Sequence, residues 1–415
     1  MLKLARERLE IFRYRPYTLY FIGTTVSLIG TGMQFIANSW LALELTDANY
    51  SVALLLGISS IPGILFSPVL GVFVDRIDRK LLAATMDLFR GVILLSVPLL
   101  WWFKYLQPWH LYLMAFLVAL GDIVYSPSAK ALIVEVIPQK MLLTANSTTS
   151  VANQIGSLVG AGSAGLIIAM FSPIAVMVIN AGTFFFSAFC ILGMPKMRIV
   201  PMDVVSKAKG WRFFFAEMKE GIEYVRQHSD IIFKYLMLLF LLTTLRTINV
   251  MLAPFAKNVL QVGVKGLGYI DAAFAVGAIF GSFILPVLSR LYGTNRIMIN
   301  GVWALSASLL FFATSRSLWM GILGYFLIGV SFQVWVLYLT KAQESTDISH
   351  QGRVYSFFST FISIASLGVY AVMGLLVEVI SQRWLYVFQG ALVAATGLLA
   401  CRMISYEKKE KDYYD

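Results

Sequence analysis

GVFVDRIDRKLLAATMDLFRGVILLSVPLLWWF, residues 71–103, joins a short basic turn to an apolar run. A helix needs roughly 20 apolar residues to cross the hydrocarbon core of a bilayer. Residues 81–103 supply that length, with Asp87 and Arg90 the charged side chains inside it. The turn before it carries Arg76, Arg79 and Lys80, cations that hold a loop on one side of a membrane. The same alternation repeats along the chain. Of 415 residues, 59% are hydrophobic and 13% charged, too few charges to make a water-facing surface, since soluble domains carry about 25%.

Working outward, apolar runs predict transmembrane helices at 16–43, 51–74, 81–103, 109–136, 142–170, 173–194, 231–256, 267–288, 296–314, 317–341, 354–380 and 383–404. The one long polar stretch, 195–230, divides them six and six. The expected organisation is an N-terminal six-helix bundle over 1–194, a cytoplasmic linker over 195–230, a C-terminal six-helix bundle over 231–405 and a tail over 406–415. Within the linker, Phe214, Met218, Ile222 and Val225 recur at helical spacing, which predicts an amphipathic helix over 211–227 lying on the membrane face. The charged residues 1–15 and the long first apolar run argue against a cleavable signal.

Net charge is +11, but the cations flank apolar runs, so they read as orientation signals and not as a nucleic-acid surface. The loops on one side, with both ends of the chain and the linker, hold 25 Lys and Arg. Those on the other side hold Lys104, Lys257, Lys265, Arg316 and Arg383. This places both termini in the cytoplasm and requires an even number of spans. Cys190 and Cys401, both in apolar runs, offer no disulfide framework or metal pattern. The chain has no GxxxxGK[ST] phosphate loop, no HExxH and no catalytic constellation, so neither ATP-driven transport nor an enzyme is expected, and no cofactor or metal. An internal repeat is visible: Glu135, Ser147 and Ser150 recur 209 residues later as Glu344, Ser356 and Ser359, as in transporters built from two related halves.

The turn Gly71–Lys80 resembles the cytoplasmic loop signature of the major facilitator superfamily, and it stands between the second and third spans as that signature does. GDIVYSPSAKALIVEVIP (121–138), SLIGTGMQFIANSWLALELT (27–46) and SHQGRVYSFFS (349–359) resemble the fourth, first and eleventh spans of the branch that holds macrolide-efflux and enterobactin-exporter-like drug:proton antiporters. The likeness covers nearly the whole chain. It implies twelve helices in two pseudo-symmetric six-helix bundles, a central cavity, alternating access and proton-driven export. It also implies a conformational latch made of Gly71, Asp75, Arg76, Arg79 and Lys80, with Asp87 and Arg90 as its partners and Gly352 and Arg353 as its second-half element. Asp75 is expected to cap the helix that follows. The branch's fifth-span pattern is met by Gly156, Gly160 and Gly165, small residues that let helices pack closely, whereas Ala161 and Ala164 replace a proline and a glycine.

Charges inside spans are costly and usually functional. Asp122 falls midway along the fourth span and is the candidate for carrying a coupling proton, the alternative being a static ion pair. Arg246, midway along the seventh, is the candidate for an anionic group of a substrate. Gln34, Asn38, Asn153, Gln154, Gln333 and Trp335 are candidate substrate contacts, or else interhelical bonds. Together these features predict an all-α integral membrane protein, a secondary transporter in the cell (inner) membrane. Its expected work is to export a small amphipathic molecule, a siderophore or other secreted metabolite or an antibiotic-like drug, at the expense of an ion gradient, with H⁺ the expected ion, as a monomer in the lipid bilayer. A nutrient importer on the same fold and a non-transporting receptor are the alternatives.

Overall fold

The computed structural model describes residues 11–74, 77–138, 141–195 and 229–414, together with Lys219, Glu223 and Arg226. The rest of the expected amphipathic helix at 211–227 lies outside these residues, as do Asp75 and Arg76. Twelve long helices and no strand occur among the described residues. They are α1 Arg15–Thr46, α2 Tyr50–Val74, α3 Arg79–Trp102, α4 Pro108–Val136, α5 Leu142–Met170 and α6 Pro173–Leu192, then α7 Ser229–Pro254, α8 Gly263–Tyr292, α9 Thr294–Ala313, α10 Leu318–Glu344, α11 Ile348–Val379 and α12 Gln382–Tyr414. Ten are long and apolar enough to cross a membrane, and α2 and α5 contain the apolar stretches Tyr50–Phe66 and Ile155–Met170.

Local chemistry sets the helix ends. α1 and α6 carry proline in their first turn, where no N–H is needed. The Ser172 hydroxyl accepts from the Ala175 amide at 3.2 Å and Ser317 from Met320 at 3.4 Å, each occupying an orphan donor of a first turn. The cap of α3 is Asp78, whose Oδ1 accepts from the Leu81 amide at 3.0 Å, and not Asp75 as the sequence suggested. Asp47 closes α1 in the left-handed region at φ 49°, its amide donating to the Leu43 carbonyl.

Three helices depart from the expected spans. α7 continues past Pro254 as a π-helical turn, Phe255–Val259, where the missing proline N–H lets the hydrogen-bond register slip. α10 breaks at Gln333, where the bonds tighten to three-residue spacing, Gln333 to Val330 and Val336 to Gln333. α12 runs on to Tyr414, since the Glu- and Lys-rich end of the chain consists of good helix formers.

The chain divides into two units, one holding α1–α6 and the other α7–α12. In the first, α1 packs on α5 and α6, α2 on α4, and α3 on α4 and α6. In the second, α7 packs on α11, α8 on α10, and α9 on α10 and α12. Four of these pairs therefore recur six helices later, which makes the two bundles pseudo-symmetric. α1 and α5 approach closely through their glycines. A Cβ added at Gly160 would lie 2.5 Å from the Ile29 carbonyl and 2.8 Å from Gly32, and one at Gly156 would lie 2.7 Å from Leu28 Cβ. Gly165 is buried on the same helix, and α5 runs unbroken through Ala161 and Ala164.

Two apolar clusters fill the first unit. One gathers Leu41, Leu94, Val97, Met114 and Phe184, the other Tyr17, Ala84, Leu132, Ala145 and Ile191. Beside the first runs a buried polar chain. Asn180 Nδ2 on α6 donates to Gln34 Oε1 on α1 at 2.7 Å, and Thr183 Oγ1 donates to Asn180 Oδ1 at 3.0 Å. Asn180→Ala leaves Gln34 Oε1 without that donor in an apolar layer, a loss of about 1–3 kcal/mol. A lowered unfolding temperature of the purified variant in detergent is the expected reading.

Candidate functional site: a charged triad in a cavity of the first unit

α3 and α4 carry three charges at one level of the bundle. Along α3, Asp87 and Arg90 follow Ala84 of one apolar cluster and precede Leu94 of the other. Along α4, Asp122 lies between Val118 and Ala129 of the same two clusters. Asp87 and Arg90 are three residues apart, so they share a helix face, and Arg90 Nη2 donates to Asp87 Oδ1. Arg90 Nη1 donates across to Asp122 Oδ1.

Arg90 is held on every side. Its guanidinium carbon lies 4.3 Å from the ring centroid of Tyr125 and 4.3 Å from that of Phe184, so the cation is sandwiched between two π-faces. Gly121 makes room for its stem, since a Cβ there would come within 2.7 Å of Arg90 Cγ. The two carboxylates differ in access. The Asp87 side chain is 0% exposed and that of Asp122 is 48% exposed. Pairing in the triad is incomplete, because Asp87 Oδ2 and Arg90 Nε are buried with no hydrogen-bond partner among the described residues.

Asp122 and Arg90 line a cavity of about 480 Å³. That is within the range of roughly 300–1,000 Å³ typical of small-molecule sites. α1 contributes Tyr20, Thr24, Ser27 and Thr31, α4 adds Tyr125, Ser126 and Lys130, and α5 adds Thr149 and Asn153. Thr24 and Tyr125 meet hydroxyl to hydroxyl at 3.4 Å. Pro127 withdraws one backbone donor from α4 between Asp122 and Lys130.

Several residues singled out in the sequence sit elsewhere. Asp122 is not a lone carboxyl, since Arg90 reaches it from the neighbouring helix. Arg90 lines this cavity with Asp87 enclosed behind it, and among the described residues their ion pairs are with each other and with Asp122. In that turn, Arg79 opens α3 and Lys80 Nζ donates to the Met194 carbonyl, tying the start of α3 to the end of α6. Gln34 is spent in the buried chain with Asn180 and does not line the cavity, and Asn38 is buried away from it. Asn153 is a cavity residue. In the second unit Gln333 is buried and accepts from Ser282 Oγ at 3.2 Å, while Trp335 packs on the cluster of Tyr235, Leu238 and Phe358. Arg246 is exposed on α7 and forms no hydrogen bond or ion pair among the described residues. The side chains of Gln154 and Arg353 and the surroundings of Gly71 and Gly352 lie outside the described residues. Lys130, one of the 25 cations that read as orientation signals, lies within α4 and lines the cavity.

The chain is 22% identical over 420 residues to macrolide efflux protein A of Streptococcus pyogenes, covering 97% of this chain and 99% of that one. It is 27% identical over 347 residues to BacE of Bacillus subtilis, named for bacilysin export, covering 82% of each. Its fold matches the crystal structure of the nucleoside transporter NupG with a TM-score of 0.74 at 12% identity, over 94% of this chain and 99% of that one. The sequence profile of the family described as Transmembrane secretion effector matches residues 8–413. The chain is thus a multi-pass membrane transporter of the major facilitator type, a member of the transmembrane secretion effector family.

Proposed function

We propose that the protein exports a small organic molecule from the cell in exchange for protons, with Asp122 the group that carries the proton. One observation bears most of the weight: a half-exposed carboxylate lines a cavity against a cation that cannot follow it. With both carboxylates ionised the triad carries one net negative charge, and net charge inside a span is costly. A proton on Asp122 brings the triad to neutrality, and its removal restores the pull of Arg90 on Asp122. Binding and release of one proton therefore change the wall of the cavity directly. The efflux names of relatives support the outward direction, and the 25-to-five distribution of loop cations supports cytoplasmic termini. A secreted metabolite, a siderophore or an antibiotic-like compound is the cargo this reading favours. The Gly71–Lys80 turn with Gly352 and Arg353 serves as the latch between states, and Arg246 offers a charge for an anionic group of the substrate.

Asp122→Asn keeps the size and the bond to Arg90 but fixes the neutral form. Expected is a loss of efflux against a concentration gradient of at least about tenfold, with exchange of substrate across an equilibrated membrane retained. Efflux by this variant at the parental rate removes Asp122 from coupling. The substrate itself comes from comparing spent medium and cell extract of a deletion strain and its parent by untargeted mass spectrometry. A metabolite lost from the medium and retained in the cells is the expected outcome; unchanged fractions overturn export.

A further inference from the structure

Asp87 and Arg90 cancel one another inside the wall, which leaves two charges presented to the cavity. One is Asp122, whose Oδ1 is taken by Arg90 and whose Oδ2 has no hydrogen-bond partner among the described residues. The other is Lys130, exposed, lining the same cavity and with no ion pair or hydrogen bond among the described residues. They stand eight residues apart on one helix, about 12 Å along its axis at 1.5 Å per residue. A ligand with a single positive charge meets Asp122 but is repelled by Lys130. One with a single negative charge meets Lys130 but is repelled by Asp122. A ligand with both charges at opposite ends satisfies both.

The spacing sets its length. An extended chain advances about 3.3–3.6 Å per residue, so two or three residues separate a free amine from a free carboxylate by about 7–11 Å. The lysine stem and the aspartate methylene take up the remainder. The hydroxyls and amide that line the same cavity, Thr24, Ser27 and Asn153, are donors and acceptors of the kind that amide groups need. We propose that the cavity takes a peptide-like zwitterion of two or three residues, its amine on Asp122 and its carboxylate toward Lys130. This rests on the transporter reading above and adds the class of its substrate.

The test is binding to the purified full-length protein in lipid nanodiscs, followed by calorimetry. Its probes are the tripeptide Ala-Phe-Ala, the same peptide N-acetylated, and the same peptide C-amidated. The free-ended form is expected to bind, and each cap to weaken binding by about tenfold, equivalent to about 1.4 kcal/mol. Lys130→Gln is expected to erase the difference between free and amidated forms, with Lys130→Arg restoring it. Asp122→Asn is expected to erase the difference between free and acetylated forms. Equal binding of all three probes, or binding of none at millimolar concentration, overturns the proposal. So does an amide penalty that survives in Lys130→Gln. Binding needs neither a gradient nor a direction, so this result stands apart from the metabolite comparison: equal binding removes the zwitterion and leaves export in place, while unchanged medium removes export alone.

Discussion

Arg90→Ala is expected to destabilise the protein by about 3–5 kcal/mol and to abolish transport, because it strands a buried carboxylate. Asp87 is fully enclosed, and Arg90 is its only charged partner among the described residues. The alanine also empties the slot between Tyr125 and Phe184, so the stacking of the cation is lost with the charge. Removing both charges separates the two effects. In Asp87→Asn/Arg90→Gln the enclosed carboxylate is removed together with the cation, the ion left behind is the half-exposed Asp122, and most of the stability is expected to return. Transport is not, since Asp122 then has no fixed cation to leave and rejoin. Unfolding temperature in detergent and substrate efflux in cells give the two readings. An Arg90→Ala protein as stable as its parent contradicts the burial of the pair.

Gly160→Val carries the second large effect, through packing and not through charge. The added Cβ meets the Ile29 carbonyl and the Gly32 backbone, and none of these atoms can swing aside as a side chain can. Overpacking costs about 1–3 kcal/mol in ordinary cores and more where nothing yields. The expected outcome is α1 forced off α5, seen as a low yield of monodisperse protein and a lowered unfolding temperature. Gly156→Ala would also set its Cβ 2.7 Å from Leu28 Cβ, but it adds one carbon where valine adds three and is expected to be milder. Since α1 and α5 both line the cavity, any Gly160→Val protein that survives is also expected to bind substrate poorly.

The fold was legible because lipid imposes a single rule along the sequence. Apolar runs of bilayer length gave the helices, and the polar stretch 195–230 gave their division six and six. The breaks were harder. Nothing in the apolar run around Gln333 marks a change of hydrogen-bond spacing, and Pro254 sits too near the end of its span to announce a π turn. The site was legible residue by residue but not as an assembly. Asp122 stood out as a charge in a span, yet its partner lies 32 residues away on another helix, a distance that periodicity cannot bridge. Gln34 and Asn153 look alike in sequence, and only the direction each faces makes one a packing bond and the other a cavity residue. Lys130 was hidden by its position, since a cation near the end of a span satisfies the orientation rule and prompts no further question.

The three-residue spacing of Asp87 and Arg90 also bears on how the chain enters the membrane during synthesis. A single ion at the middle of an inserting helix costs about 2.5–3.5 kcal/mol. α3 carries its two opposite charges one turn apart, so it can leave the translocon as a neutral dipole, each ion shielding the other. α4 carries Asp122 at mid-span, and the cation that meets it is already in the bilayer because α3 is made first. The order of the helices along the chain is thus also the order in which their charges are neutralised. A circularly permuted protein that makes α4 before α3 has to insert Asp122 unaccompanied.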